Sequence, residues 1–466
     1  MGAAHDRGAR RGTLAPSGLA RRHLLACTAP LVVGGLAASV SGCLRRTASA
    51  PAAPALPDLA ARYVQLTRQL AQHQPSLVEV WLGPATELGP RVPVPALRAS
   101  IATLLSDLRQ ARDAATAANG ADESGDAAGG LLRARYLTAQ ATALDTAAAR
   151  LLGESQPFAD EAARVFAGHV LPPRDGAALE ARRQELATLL PGRGTLAERH
   201  AAFRRRAAVP AARVDAVFQA AVTWCRDATR PHLPLPAGDT ITFGAAEAGG
   251  WAGLSRPTGP STSELRVSEA GGADPAHLLQ LAAHEGVPGH HAQHVLASAV
   301  LVEQRGWQER QLLPAFGTHL LLAEGAADAG ADLLLPIETR TRVCADTLLP
   351  MAGLAPSLAP TLARVERLVA TLDVEVAYIA AEYLDTPLGV EAATTRLRDD
   401  ALVLDPSGML AFLERQRTKM LAYPLGRRLV QTALDAVPAD QRWARLAAIA
   451  TTCTLEPWPW GIMGAA

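Results

Sequence analysis

The chain has 466 residues, of which 49% are hydrophobic and only 4% aromatic, and its 45 basic and 45 acidic side chains leave no formal net charge. A balanced charge excludes a nucleic-acid partner gripped through its phosphates, because that requires a concentrated basic face. The length suits two or three average domains, or one large helical domain closing around a single cleft; nearly all the cations are Arg and Ala is very frequent, a bias from which no function is read.

At the N-terminus, Arg21-Arg22-His23-Leu24-Leu25 opens an apolar, small-residue stretch from Ala26 to Val40 that ends at Val40-Ser41-Gly42-Cys43. This is the charged, apolar and small-residue order of an export signal, and residues 1–43 are read as one. The twin Arg points to the twin-arginine route, and the small pair before Cys43 to a lipobox. Cleavage before Cys43 and lipidation of its thiol would place the mature protein outside the cytoplasm, in the cell envelope, with the lipid as its sole membrane contact. About 15 apolar residues are short for a spanning helix. Residues 44–57, rich in Ala, Pro and Thr, read as a tether. Of the five cysteines, Cys27 falls in the signal and Cys43 takes the lipid. Cys225, Cys344 and Cys453 have neither zinc-knuckle nor redox spacing and read as packing residues.

Residues 58–466 read as one domain, mainly α. Leu66, Leu70 and Leu77, then Leu97, Ile101, Leu104, Leu105 and Leu108, recur near the helical period, and similar Ala/Leu-rich stretches run through 131–152, 177–190 and 209–226. The Gly/Asp-rich residues 119–130 read as an exposed loop. Asp239-Thr240-Ile241-Thr242-Phe243 and Thr262-Ser263-Glu264-Leu265-Arg266-Val267-Ser268 alternate apolar with polar between Gly/Pro-rich turns, which predicts two short strands of a small antiparallel sheet. Asp274-Pro275 then supplies an N-cap and a first-turn proline for the next helix.

That helix carries His284-Glu285-Gly286-Val287-Pro288-Gly289-His290-His291, and four of the chain's 12 histidines fall between 284 and 294. Neutral imidazole is the commonest zinc ligand, and a carboxylate beside it is the usual base for a metal-activated water. In the ordinary H-E-x-x-H motif, residues four apart share a helix face. Here Pro288 stands at the fourth position and must break or bulge the helix. Looping out two residues brings His290 to the second-ligand place; on an unbroken helix His291 would face the same way as His284 but about 10 Å along the axis. His290 is preferred. The bland alternative is a surface helix that happens to be rich in His.

The run His284-Glu285-x-x-Pro288-Gly289-His290-His291-x-Gln293 resembles the signature of the bacterial domain of unknown function 885 family, which is grouped with the zincin metallopeptidases. The resemblance covers roughly residues 57 to 440. The family's downstream Glu-Gly-Trp-Ala matches Glu324-Gly325-Ala326-Ala327, with Ala326 in place of Trp, and its C-terminal segments match Glu414 with Arg417 and Tyr423-Pro424-Leu425-Gly426. The segment from Asp373, where the family tends to show a His a few residues on, has none before Tyr378.

The resemblance implies a multi-helical, gluzincin-like peptidase fold with the small sheet beside the cleft. It implies Zn²⁺ held by His284, His290 and Glu324, with Glu285 as general base. Tyr423 is then the first candidate for an oxyanion donor and His291 the second. Arg417 is a candidate to bind a peptide carboxylate. The strand at 262–268, bearing Arg266, is a candidate to pair with substrate backbone. Asp328, one turn after Glu324, is placed to orient a ligand. The implied substrate is a peptide or small amide. The departures from the family pattern keep two rivals open: an inactive envelope lipoprotein that binds a partner, and a metal hydrolase of a non-peptide amide.

Overall fold

Ala and Leu at helical spacing dominate the sequence, and helices dominate the computed structural model, which describes residues 55–119, 125–244, 252–268 and 273–456. The export signal with Cys27 and Cys43, and residues 44–54 of the tether, lie outside the described residues. The described residues all belong to one compact unit.

Helix α1 (Leu56–Ala71) starts two residues inside the segment read as tether, because Pro57 in its first turn already has a helical φ. It is followed by strand β1 (Val78–Trp81), then by α2 (Val94–Asn119) and α3 (Gly125–Leu151). Of the loop expected at 119–130, Asn119 ends α2 and residues 125–130 are already helical, while 120–124 lie outside the described residues. Leu97, Ile101, Leu104 and Leu108 of α2 are all buried, as their spacing requires. With α1, α3 and residues 376–425 they build a first core.

After three shorter helices comes α4 (Ala211–Thr229), then β2 (Thr240–Phe243), β3 (Gly253–Gly259) and β4 (Thr262–Val267). Both expected strands form. Between them lies a third that sequence did not indicate, because Gly253, Pro257 and Gly259 mimic turn composition. The sheet order is β2-β4-β3, with β2 parallel and β3 antiparallel to β4, so the sheet is mixed where a wholly antiparallel one was expected. β1 pairs separately with β5 (Leu312–Pro314).

The site depends on α5 (Pro275–Leu281), α6 (His290–Ala297), α7 (Gly317–Leu334), α8 (Ala422–Asp435) and α9 (Arg442–Thr452). α7 is the central element. Leu320 and Leu321 belong to the first core, Ala331 and Leu334 to a second built with α4 and α5, and Leu322, Ala326 and Ala329 to a third with α8 and α9. A helix that is apolar all round must be buried all round. The carboxylate of Glu324 is thus carried into the interior, where it needs a partner.

Candidate metal centre

The N-cap expected at Asp274 is present: its Oδ1 accepts hydrogen bonds from Ala276 N at 2.9 Å and His277 N at 3.0 Å. The helix break is also present and exceeds a simple bulge. Ala282–Gly286 wind as a π-turn, the Val287–Pro288 peptide is cis, and α6 restarts at His290. Such wide turns are a recurrent feature of functional sites. Glycines make the break possible. A Cβ on Gly289 would lie 1.8 Å from His284 O, and one on Gly330 of α7 would lie 3.1 Å from Pro288 Cγ.

The break turns His284 and His290 toward each other, with ring centroids 4.7 Å apart and planes nearly perpendicular at 89°. Glu324 meets both. Its Oε2 lies 3.2 Å from His284 Nε2 and 3.4 Å from His290 Nε2, and one ligand atom from each of the three residues falls within 4.8 Å of the others. Yet Glu324 Oε2 is buried without a hydrogen-bond partner. Two imidazole nitrogens and a carboxylate oxygen at ion-pair distance, but off the line of a hydrogen bond, form a donor set that one ion could share. Two imidazoles and a carboxylate are donor types that a divalent metal ion takes.

The orientation is enforced from behind. Asp328 Oδ1 lies 2.9 Å from His284 Nδ1 and holds that side of the ring, which turns Nε2 toward Glu324. Gln293 lies against His290 Nδ1 at 3.4 Å through Oε1 and donates through Nε2 to Ala323 O at 2.9 Å. Burial opposes charge on both imidazoles, but Asp328 and Glu324 lift His284, and Glu324 lifts His290, above the usual histidine range. Burial likewise opposes charge on Glu324, and the two imidazoles outweigh it and hold its carboxyl low.

Glu285 is buried, and burial pushes its carboxyl pKa up against the opposing pull of His284 and His290. β3 passes directly over it: a Cβ on Gly253 would lie 3.1 Å from Glu285 Oε1. Tyr423 closes the other side, half-buried, with the charge of Glu324 and then burial raising its phenol well above 10, which keeps it a neutral donor. Its position is fixed by two glycines. A Cβ on Gly325 would lie 2.3 Å from Gly426 C, and one on Gly426 would lie 2.1 Å from Leu321 O, so α7 and α8 touch backbone to backbone. Ala326, where the resembling family has Trp, is fully buried in the third core, and an aromatic there would overpack it.

Other expected site residues lie elsewhere. His291 is wholly buried with both ring nitrogens engaged, Nδ1 with Ser263 Oγ at 2.9 Å and Nε2 with Asp239 Oδ2 at 3.1 Å, so it is not an oxyanion donor. It clamps the sheet to α6, and His294 does the same through Nε2 and Gly259 O at 2.7 Å. Arg417 donates to Glu161 Oε2 at 2.7 Å and Gln156 O at 3.3 Å, an internal ion pair that replaces the expected carboxylate-binding role. Glu414 accepts from Tyr383 Oη at 2.7 Å. Arg266 pairs with Glu264 on the sheet face opposite the buried Ser263, Leu265 and Val267, and therefore faces away from Glu285. Its strand is also corrected: β4 is central and has no free edge for a substrate, whereas β3 is at the edge.

Sequence reasoning missed Glu79 and His319. Glu79 on β1 adds to the charges that raise Glu285 and Tyr423. His319 on α7 has Nδ1 3.4 Å from Cys453 Sγ, and burial, followed by Arg310 and His290, keeps it neutral. Both are lone residues far from the motif in sequence, and no spacing announces them. Cys225, Cys344 and Cys453 are buried free thiols, as expected of packing residues.

No family model and no curated protein matches the sequence. Among solved structures, a candidate lipoprotein from Colwellia psychrerythraea is similar at 11% identity and TM-score 0.45, over 85% of this chain and 75% of that one. A candidate lipoprotein of unknown function from Shewanella oneidensis is similar at 12% identity and TM-score 0.42, over 74% of this chain and 66% of that one. A chain described as BsuCP is similar at 10% identity and TM-score 0.40, over 87% and 90%.

Proposed function

We propose that this protein is a zinc-dependent hydrolase, a peptidase acting on short peptides, exported and anchored in the cell envelope by a lipid on Cys43. The observation that carries the reading is the convergence of one ligand atom each from His284, His290 and Glu324 to within 4.8 Å of one another in the interior. His284, His290 and Glu324 would hold the ion. When bound, zinc supplies Lewis-acid polarisation of a carbonyl and acidifies water to near neutral pH.

The remaining work falls to the chain. Glu285, on the residue after His284 and with its carboxyl raised by burial, takes a proton from the attacking water and returns it to the leaving amine. Tyr423 donates its phenolic hydrogen to the developing oxyanion. β3, an edge strand passing over Glu285, offers backbone groups to an extended substrate. Asp328 and Gln293 hold the two imidazoles in place. Export and lipidation rest on Arg21-Arg22, the apolar stretch to Val40 and the small pair before Cys43.

The test is a turnover screen of the purified, zinc-loaded mature protein against short peptides, with Glu285→Gln as control. That substitution is nearly isosteric and removes only basicity, so turnover should fall by about 10²- to 10⁴-fold while zinc content stays the same. Equal turnover by wild type and variant would overturn the mechanism, and no cleavage of any peptide would favour a binding protein.

A further inference from the structure

Of the 45 basic residues in this chain, Lys419 is the only lysine. A chain that uses Arg at every other cationic position has, at this one, a compact ammonium on an unbranched stem. Composition alone makes no site, but the position does. Lys419 lies four residues before Tyr423, in the 3-10 turn Arg417–Leu421 that leads into α8. It lines a pocket of about 40 Å³ with Leu77, Phe316, Leu320 and Thr418. Leu320 is one turn before Glu324 on α7, and Lys419 meets Glu79, whose charge reaches both Glu285 and Tyr423, so the pocket is a neighbour of the candidate metal centre.

The pocket suits an anion. Its charged lining is Arg150, Glu161 and Lys419, two cations to one anion. Glu161 is engaged by Arg417, Thr418 and, at 3.7 Å, Arg150, so Lys419 is the lining cation left without a partner inside the pocket. The Lys419 side chain is 20% exposed and has one partner among the described residues, Glu79 at 3.3 Å, whose side chain is 48% exposed. An exposed pair of that kind is weak and readily exchanged. An ammonium has three N–H donors, so two remain for a ligand. The volume exceeds the roughly 10–15 Å³ that one water needs, and the lining has an apolar floor of Leu77, Phe316 and Leu320.

Resting on the hydrolase reading above, we propose that Lys419 holds a substrate carboxylate in this pocket, and that the substrates are peptides presenting a carboxylate to one side of the scissile bond. Two sources share that chemistry, a free C-terminus and an acidic side chain. A C-terminal carboxylate makes the protein an exopeptidase; an acidic side chain makes it selective for sequence.

Calorimetric titration of the full mature protein carrying Glu285→Gln, which removes turnover from the measurement, tests this. The probes are acetyl-tetra-alanine as free acid, the same peptide as C-terminal amide, and an amidated peptide with one internal Glu. At least one carboxylate probe should bind about ten- to a hundredfold more tightly than the neutral amide, the worth of a charge-assisted hydrogen bond. Which one does so identifies the source. Adding Lys419→Met should erase the difference, and Lys419→Arg should restore part of it. Acid and amide binding alike, no binding by any probe, or a preference that survives Lys419→Met each overturns the proposal. Zinc content and turnover of the amidated peptide by the wild type report on the hydrolase reading separately. A Lys419-dependent preference without zinc or turnover would leave the pocket standing and the enzyme disproved.

Discussion

The four histidines between 284 and 294 divide into two pairs that sequence cannot distinguish by residue type. His284 and His290 each have a side-chain acceptor on Nδ1, Asp328 and Gln293, and their Nε2 atoms converge on Glu324. His291 has both nitrogens taken by Ser263 and Asp239, and His294 gives its Nε2 to Gly259 O. The difference lies in the partners. An imidazole held through Nδ1 keeps Nε2 facing Glu324, whereas one whose Nε2 is bonded to the sheet or its approach is a strut between elements.

Deleting one histidine of each pair separates ligand from strut. His290→Ala should abolish stoichiometric zinc binding and with it turnover. His291→Ala should keep the metal and lose about 1–3 kcal/mol of stability, because Asp239 Oδ2 and Ser263 Oγ lose their imidazole partner in the interior while Arg226 holds only Asp239 Oδ1. Metal analysis and denaturant unfolding of both variants distinguish these outcomes. Loss of metal from His291→Ala, with retention in His290→Ala, would reverse the assignment.

Gly289 separates the pairs, and its backbone has no room for a methyl group. Gly289→Ala should destabilise the protein by about 3 kcal/mol or more, as severe backbone clashes do, and should lower zinc occupancy, since His284 and His290 converge only through this break. Thermal unfolding and metal content are the readouts; a variant as stable and as zinc-rich as wild type would show that the break tolerates a Cβ. A smaller effect is expected one step from the ligands. Asp328→Asn keeps the shape but weakens the hold on His284 Nδ1, and zinc affinity should fall about 10- to 100-fold in competition with a chelator. An unchanged affinity would remove Asp328 from the site.

What the sequence revealed follows from how local each signal is. Leu97, Ile101, Leu104 and Leu108 declare a helix because their spacing is the helix period, and Asp274-Pro275 declares its start because a cap is made within three residues. Pro288-Gly289 announces the break for the same reason. Glu324 was legible only through a resembling motif, although a lone acid in the otherwise apolar Leu320–Ala327 is itself a signal, since such a residue needs a partner inside. The Ser263 and Asp239 contacts of His291 span 28 and 52 residues, and Lys419 meets Glu79 across 340. No periodicity reports contacts at that separation. β3 was missed for a related reason, because it is a strand by virtue of pairing with β4 and its own Gly and Pro argue against it.

The smallest expected effect lies behind the His284 support and is read through pH. Asp373 has its pKa pushed up to about 7 from 3.8, first by burial and next by the neighbouring charge of Asp328, with Glu366 adding to the rise. Arg427 and His277 oppose it, but Arg427 already donates to Asp332 at 2.9 Å through Nε, and His277 is bonded to Glu366 at 3.0 Å. A carboxyl whose folded pKa exceeds its unfolded value favours the folded state only while protonated. Its contribution is present below pH 3.8 and is lost as pH rises toward 7. Asn at this position carries no proton to lose. Asp373→Asn should therefore gain on the wild type between pH 5 and pH 8 by about 1–2 kcal/mol in denaturant unfolding, with the gain flattening above pH 7. If the wild type instead gains on the variant as pH rises, Asp373 is ionised and held by Arg427, and the acids behind His284 form an ion-pair network in place of one charged and one protonated carboxyl.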